Sequence, residues 1–346
     1  MKLAFIINDI KTERANYTTM YLALTAHKRG HQVYVIGVGD LGYSPDGHMM
    51  ARARSVGEQT FKTNETFFRA LESSAPVNIS SGDLDVLYLR NDPSEDINNR
   101  NWAQNAPYIF GQIAMRDGVI VLNHPESLSN AINKMYFQHF PEILRPRTII
   151  TRDLKDIQEF YEEQNQQIIL KPLQGSGGKN VFIVDKNSKA NMNQIVEAIS
   201  TDGFVIAQEY LPKAVDGDTR FFLMNGLPLE IDGKYAAMRR VNKEGDIRSN
   251  IHAGGKGIKA EVDREMLDLV QILKPKLVQD GMFLVGVDIV GNKLMEVNVF
   301  SPGALNMISG MNDVDFGAAV IKSIENKVLY KQIYGQYVDN ITLATL

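Results

Sequence analysis

Residues 281–302 read GMFLVGVDIVGNKLMEVNVFSP, two apolar stretches joined at Gly291-Asn292-Lys293. Val, Ile, Leu and Met on both sides of a Gly-Asn turn predict a β-hairpin. Asp288 falls on the first strand, and Glu296 and Asn298 on the second. Side chains alternate faces along a strand, so Glu296 and Asn298 point the same way. A three-residue turn pairs Val290 with Leu294 and sets Asp288 directly across from Glu296. A two-residue turn puts the two carboxylates on opposite faces. Two carboxylates and an amide oxygen amid apolar neighbours repel and desolvate one another unless a cation lies between them. Hard oxygen donors with no His or Cys nearby suit Mg²⁺ or Mn²⁺. The competing reading is a hairpin with two solvent-facing acids.

Working outward, the chain of 346 residues is too long for one ordinary core and predicts two or three domains. Its 44% hydrophobic and 23% charged content is that of a soluble globular protein. A net charge of −4 argues against a nucleic-acid or anionic-membrane binder. There is no cysteine, which excludes disulfides, thiolate catalysis and cysteine-ligated metals. No apolar run approaches the roughly 20 residues that span a bilayer. The opening MKLAFIINDI soon meets Asn8, Asp9, Lys11 and Glu13, so it reads as a first strand and not a signal peptide, with the cytoplasm as the expected location.

LAFIIND, a helix over 18–29 ending at Gly30, and HQVYVIGVGD form strand–helix–strand. With the runs at 83–93 and 118–125 they predict an α/β domain over residues 1–124, built on a parallel sheet. A helix over 127–140, RPRTIITRD, a helix over 153–163, QQIILKPL and NVFIV follow in a region spanning 125–203. Residues 204–346 read mostly as strands, with a helix at 261–279, so the second half is α+β. No internal repeat or low-complexity tract is present.

GVGDLG at 37–42 matches the dinucleotide pattern G-x-G-x-x-G, but Tyr43-Ser44-Pro45-Asp46-Gly47 cannot open the helix that would hold a pyrophosphate, and the run reads as a loop. QGSGGKN at 174–180 is the better phosphate loop, a strand–Gly-rich loop–strand flap whose backbone N–H groups can cover an anion. An ordinary hairpin turn is the alternative. Lys171, inside the apolar IILKPL, calls for an anionic partner. The loop RRVNKEGDIRSNIHAGGKG at 239–257 carries five Lys or Arg, among which Arg240 and Arg248 suit a phosphate or carboxylate fork; a solvated surface loop is the bland alternative. His252 has no partner His nearby, and no G-x-S-x-G elbow supports a Ser–His–Asp triad.

Together, Lys134, IILKPLQGSGGKNVF, AQEYLP, DGDTRFF, RSNIHAGGKG, VGVDIVG and MEVNVFSP resemble the ATP-grasp superfamily, and within it the bacterial glutathione synthetase group. The resemblance extends over nearly the whole chain, including R-x-D-P at 90–93 and LNHPESL at 122–128. It implies an N-terminal α/β domain followed by two α+β subdomains that clamp ATP. Lys134 and Lys171 resemble the lysines that hold ATP phosphates, Gln174, Gly175, Ser176, Gly177 and Gly178 the glycine-rich flap, and Gln208, Glu209, Tyr210 and Leu211 the adenine hinge. Asp288, Glu296 and Asn298 match its Mg²⁺ ligands. Arg220 and Arg240 resemble its catalytic phosphate contacts, and Arg248, Asn250, Gly254, Gly255, Ser301 and Pro302 its peptide-substrate pocket.

The implied chemistry is ligation of a carboxylate to an amine through an acylphosphate, with ATP as co-substrate. Such a reaction needs positioning and charge neutralisation more than acid–base groups. One departure stands out: where the family carries an Arg-Glu pair after Ser-Pro, this chain has Asn306 and Met307. The leading expectation is a glutathione synthetase with small-molecule substrates, neither nucleic acid nor membrane, and a homo-oligomeric state. A related amino-acid or peptide ligase with another acceptor, and a nucleotide-binding regulatory protein without ligase activity, are the alternatives.

Overall fold

The computed structural model describes residues 1–97, 99–175, 180–241 and 255–346. Its first unit is the strand–helix–strand read from the sequence: β1 (Lys2–Ile7), α1 (Thr18–Lys28) and β2 (Gln32–Gly37). With β3 (Val86–Leu89) and β4 (Ile120–Leu122) they form a parallel sheet in the order β2-β1-β3-β4. β3 is buried along its whole length, as a strand covered on both faces must be. GVGDLG becomes a short 3₁₀ turn, Val38–Asp40, running into an extended segment, so no helix N-terminus follows it.

The stretch read as one helix over 127–140 is broken. Helix Pro125–Asn130 stops, and a 3₁₀ turn Lys134–His139 begins after Asn133, whose side chain accepts from the Met135 N–H. A side chain that bonds its own backbone competes with the helix ladder, and the break leaves Lys134 at the head of the new turn. Next come β5 (Thr148–Thr151), α2 (Leu154–Glu163), β6 (Ile168–Pro172), β7 (Phe182–Val184), α3 (Met192–Ser200) and β8 (Val205–Glu209). These strands make an antiparallel sheet in the order β7-β6-β8-β5. Ile157, Phe160, Leu170, Val196 and Val205 fill the space between its strands and helices. The hydrogen bonds of β8 therefore tie residues 205–209 to the sheet that precedes them, beyond the 203/204 boundary read from the sequence.

The last unit contains β9 (Asp218–Met224), β10 (Ala237–Val241), β11 (Lys256–Lys259), α4 (Arg264–Gln279), β12 (Leu284–Val290), β13 (Lys293–Asn298) and α5 (Phe316–Tyr334). Its sheet runs β11-β10-β9-β12-β13, all antiparallel. Phe221, Leu223, Val285 and Val287 face the apolar stripe Leu269, Val270, Leu273 and Leu277 of α4. On the other face Phe222 and Leu284 pack with Phe316, Val320 and Ile324 of α5. The same face also carries Asp218, Arg220, Arg240 and Asp288. Among the described residues no helix is long and apolar enough to cross a membrane.

Lys327 of α5 is 0% exposed; its ammonium donates to Asn225 Oδ1 at 2.9 Å and Leu346 O at 2.7 Å, over the Phe283 ring. Burial pushes it down from 10.5 to about 7. Between pH 7 and 10 the unfolded chain keeps a proton that the folded one releases, so stability should rise with pH across that window. We expect a gain on the order of 3 kcal/mol, read as a rising denaturation midpoint that is absent in Lys327→Met. A flat wild-type profile would show that the charge persists in the core.

Candidate active site

The β12–β13 hairpin reaches its expected geometry by an unexpected route. Val290 pairs with Lys293, so the turn is the two-residue Gly291-Asn292, with Gly291 at φ +57°, and not the three-residue turn. That turn alone would send the carboxylates to opposite faces. A β-bulge restores the register: Ile289 pairs with Leu294, Met295 is left over, and Asp288 lies directly across from Glu296. Gly286 pairs with Asn298, so Asp288, Glu296 and Asn298 share one face, where the Asn298 Nδ2 is 3.4 Å from Asp288 Oδ2.

Two arginines meet the same carboxylate. Asp218 and Arg220, two residues apart on β9, point the same way, and their cross-strand partners are Arg240 and Asp288. Arg220 grips Asp288 through Nε and Nη2, the latter at 2.9 Å from Oδ2. Arg240 sets Nη2 2.7 Å from Asp288 Oδ2 and donates from Nε to Asp218 Oδ1 at 2.8 Å. All four side chains are buried. Burial would raise the Asp288 pKa, but the Arg220 and Arg240 charges overturn this and hold it down to about 2. The resemblance implies that both arginines contact phosphate; in this structure both guanidiniums meet carboxylates.

Gly286 makes room for this arrangement. A Cβ there would sit 2.8 Å from Pro302 Cβ and 3.1 Å from Arg220 Cδ. Gly286→Ala is expected to displace Arg220 from Asp288 and cost about 2 kcal/mol of stability, measurable by denaturant melts. An unchanged midpoint would mean that Pro302 and Arg220 shift freely.

Both predicted lysines come to this region. Lys134 Nζ donates to the Gly175 carbonyl at 2.5 Å, and Lys171 Nζ to Gln208 Oε1 at 2.9 Å. Burial lowers both ammonium groups, Lys171 to about 8; the Glu296 charge opposes the drop at each, and the Lys134 charge deepens it at Lys171. Lys134, Lys171 and Glu296 thus lie within one another's fields. Gln208, 1% exposed, also donates to Thr148 Oγ1 at 3.0 Å, so its side chain orients Lys171. Glu209 Oε2 accepts from the Arg147 N–H at 2.9 Å, while Tyr210 and Leu211 are half-buried beside it.

Gln174 is exposed, next to Gly175 at φ +118°. Gly255 precedes β11, and Ser301 and Pro302 follow β13, with the Pro302 carbonyl accepting from Arg90 Nη2 at 3.1 Å. Ser176, Gly177, Gly178, Arg248, Asn250 and Gly254 lie outside the described residues. Sequence reasoning missed Asp218 and Gly286. The i, i+2 spacing of Asp218 and Arg220 was a visible signal of a shared face, but their partners come from distant strands.

Among the described residues no group of three or more His, Cys, Asp or Glu is arranged to hold a metal ion by itself. The donor set is two facing carboxylates plus an amide, all oxygen, which fits a hard divalent cation. Asp288, Glu296 and Asn298 are the residues that would hold it, and the charges of Lys134 and Lys171 lie within reach of Glu296.

Comparison with known proteins places the chain by sequence and by fold. Residues 1–129 match the family described as the prokaryotic glutathione synthetase N-terminal domain, and residues 133–313 match its ATP-grasp domain. A glutathione synthetase of Buchnera aphidicola subsp. Schizaphis graminum is 32% identical over 331 residues, spanning 95% of this chain and 98% of the relative. One from Yersinia pestis is 31% identical, spanning 96% and 99% respectively. Among solved structures, the ATP-grasp ligase PsnB complexed with minimal precursor, Mg and ADP superposes with a TM-score of 0.57 at 16% identity, over 94% of this chain and 98% of that one. The fold is ATP-grasp.

Proposed function

The chain belongs to the prokaryotic glutathione synthetase family, and on that premise we propose that it joins γ-glutamylcysteine to glycine with ATP, releasing ADP and phosphate. It is an ATP-dependent ligase that works with a divalent metal. The observation that carries the reading is the sheet face shared by Asp288, Glu296 and Asn298, with Glu296 within the fields of Lys134 and Lys171.

In this reading Asp288, Glu296 and Asn298 hold Mg²⁺ or Mn²⁺, which when bound neutralises phosphate oxygens. Lys134 and Lys171 bind the ATP phosphates as cations and keep the γ-phosphorus in line with the donor carboxylate. Residues 174–178 cover the phosphates, and residues 208–211 receive the adenine. Arg220 and Arg240 keep Asp288 ionised and aimed, and exchange part of that contact for substrate phosphate. Arg248, Asn250, Gly254, Gly255, Ser301 and Pro302 line the peptide pocket. A net charge of −4 supports small-molecule substrates over nucleic acid or membrane, in the cytoplasm. The exposed Leu329, Ile333 and Tyr334 of α5 support self-association.

The test is phosphate release from ATP and Mg²⁺ with γ-glutamylcysteine, with and without glycine. Glycine-dependent release with a tripeptide product is the expected result. Release only with other acids and amines would keep the ligase and discard these substrates, an outcome to which the neutral Asn306-Met307 pair points. Silence with every combination would leave a nucleotide-binding protein.

A further inference from the structure

The N-terminal parallel sheet has a topological switch point. In the order β2-β1-β3-β4 the chain leaves β1 to one side, while β3 leads to the other, so the order reverses between β1 and β3. The crevice beyond the carboxyl ends of strands at such a point is where open α/β sheets bind ligands. Here it is bordered by residues 8–13 after β1 and 90–96 after β3. Asn8 binds these two loops together, donating to Asp92 O and Asp96 Oδ2 at 2.8 Å each and accepting from the Asp92 N–H at 2.8 Å.

This crevice adjoins the catalytic face. Arg90 Nη2 and Nη1 donate to Pro302 O and Phe300 O at 3.1 and 3.5 Å, just past Asn298. The charge of Asp92 is felt at Lys134. Asn306 donates from Nδ2 to Asn16 O at 2.8 Å, in the loop that carries Glu13.

Within it, hydrogen-bond acceptors lack donors. Glu13 is half-buried, and its Oε1 is shielded from solvent without a partner. Asn91 Oδ1, on a side chain 1% exposed, and Ser94 Oγ are in the same condition at the end of β3. Burial pushes the Glu13 carboxyl up to about 7 against the opposing Arg14 N–H and Arg90 charge. Arg90 is within electrostatic reach, yet its guanidinium is spent on two main-chain carbonyls and Thr19 Oγ1, and no ion pair joins it to Glu13 among the described residues. A shielded carboxylate oxygen without a donor is costly, and a ligand that brings N–H groups removes the cost.

We propose that Glu13 receives the ammonium group of the donor substrate, at the amino-acid end remote from the carboxylate that becomes the acylphosphate. The proposal rests on the ligase reading above. The ammonium belongs to the donor and not to the acceptor, because the attacking amine must be unprotonated and a carboxylate partner would hold it in its charged form. Glu13 is then a specificity residue: it selects donors with a free amine.

The test compares wild type and Glu13→Gln on matched donor pairs that differ only in the amine, γ-glutamylcysteine against glutarylcysteine first, then other dipeptides against their des-amino counterparts. Wild type is expected to favour the amine-bearing member by about 30-fold in kcat/KM, and E13Q to lose that preference while its KM for ATP stays unchanged and its melting temperature does not fall. Retention of the preference by E13Q, or its absence in wild type, overturns the proposal. Activity on a different pair discards γ-glutamylcysteine as substrate and judges Glu13 on that pair instead. Silence of the wild type on all pairs overturns both readings.

Discussion

Asp288→Asn is expected to lower turnover by about 1,000-fold and destabilise the fold by about 4 kcal/mol, whereas Glu296→Gln should match the first loss without the second. The two acids face each other across the hairpin, yet they differ in what surrounds them. Asp288 is 2% exposed and is the counter-charge for both Arg220 and Arg240, which are themselves 8% and 7% exposed. Neutralising it strands two buried cations with only Asp218 between them, and an uncompensated buried charge is among the most expensive defects a core can carry. Glu296 is half-buried and is linked to the lysines only through their fields, so its loss costs the site and spares the core. Turnover and denaturant melts on both variants decide the matter. Equal stability losses would mean that the arginine cluster does not depend on Asp288, and full activity of E296Q would remove it from the metal set.

What the sequence could convey follows the range of the interactions involved. Alternation along β13 is local, so the shared face of Glu296 and Asn298 was legible, as was the start of α2 at Asp153, whereas α4 begins at Arg264 and not at the 261 read from the sequence. Turn length was not, because Gly291 suits either a two- or a three-residue connection, and the choice is settled by the bulge at Met295 against the partner strand. The facing carboxylates were anticipated from the wrong turn. The break between helix 125–130 and the turn at Lys134 was likewise hidden, because Asn133 competes for a backbone N–H only once Lys134 is held, its own N–H bonding Leu173 O at 3.1 Å.

The site divides along the same line. Which residues matter was visible in motif order, but what each side chain touches depends on strand neighbours far apart in the chain. Gln208 was placed in the hinge, and its side chain turns across β6 and β8 to Lys171. The Arg220 and Arg240 positions were found, while their anchoring on Asp218 and Asp288 required the order β10-β9-β12. Such pairing between strands separated by tens of residues leaves no periodic trace in one sequence.

The lysines carry the second large effect. Above pH 8, kcat/KM for ATP is expected to fall about tenfold per pH unit while kcat holds, and Lys171→Met should lose about 1,000-fold at pH 7 and show no break near pH 8. Burial depresses the Lys171 ammonium to about 8, the nearby Lys134 charge depresses it further, and Glu296 offsets part of this. In the free enzyme the cation that is to meet the phosphates therefore begins to disappear just above neutrality. Once ATP is bound, its negative charge favours the protonated form, which moves the loss out of kcat and into kcat/KM. Two variants separate this explanation from a generic alkaline decline. Lys134→Met removes the repelling charge and should move the break to higher pH, despite weakening ATP binding itself. Gln208→Leu removes the 2.9 Å acceptor that supports the protonated amine and should move it lower. A kcat/KM profile that stays flat to pH 10 in wild type would show that Lys171 keeps its proton without ATP, and a break unmoved by Lys134→Met would assign it to another group.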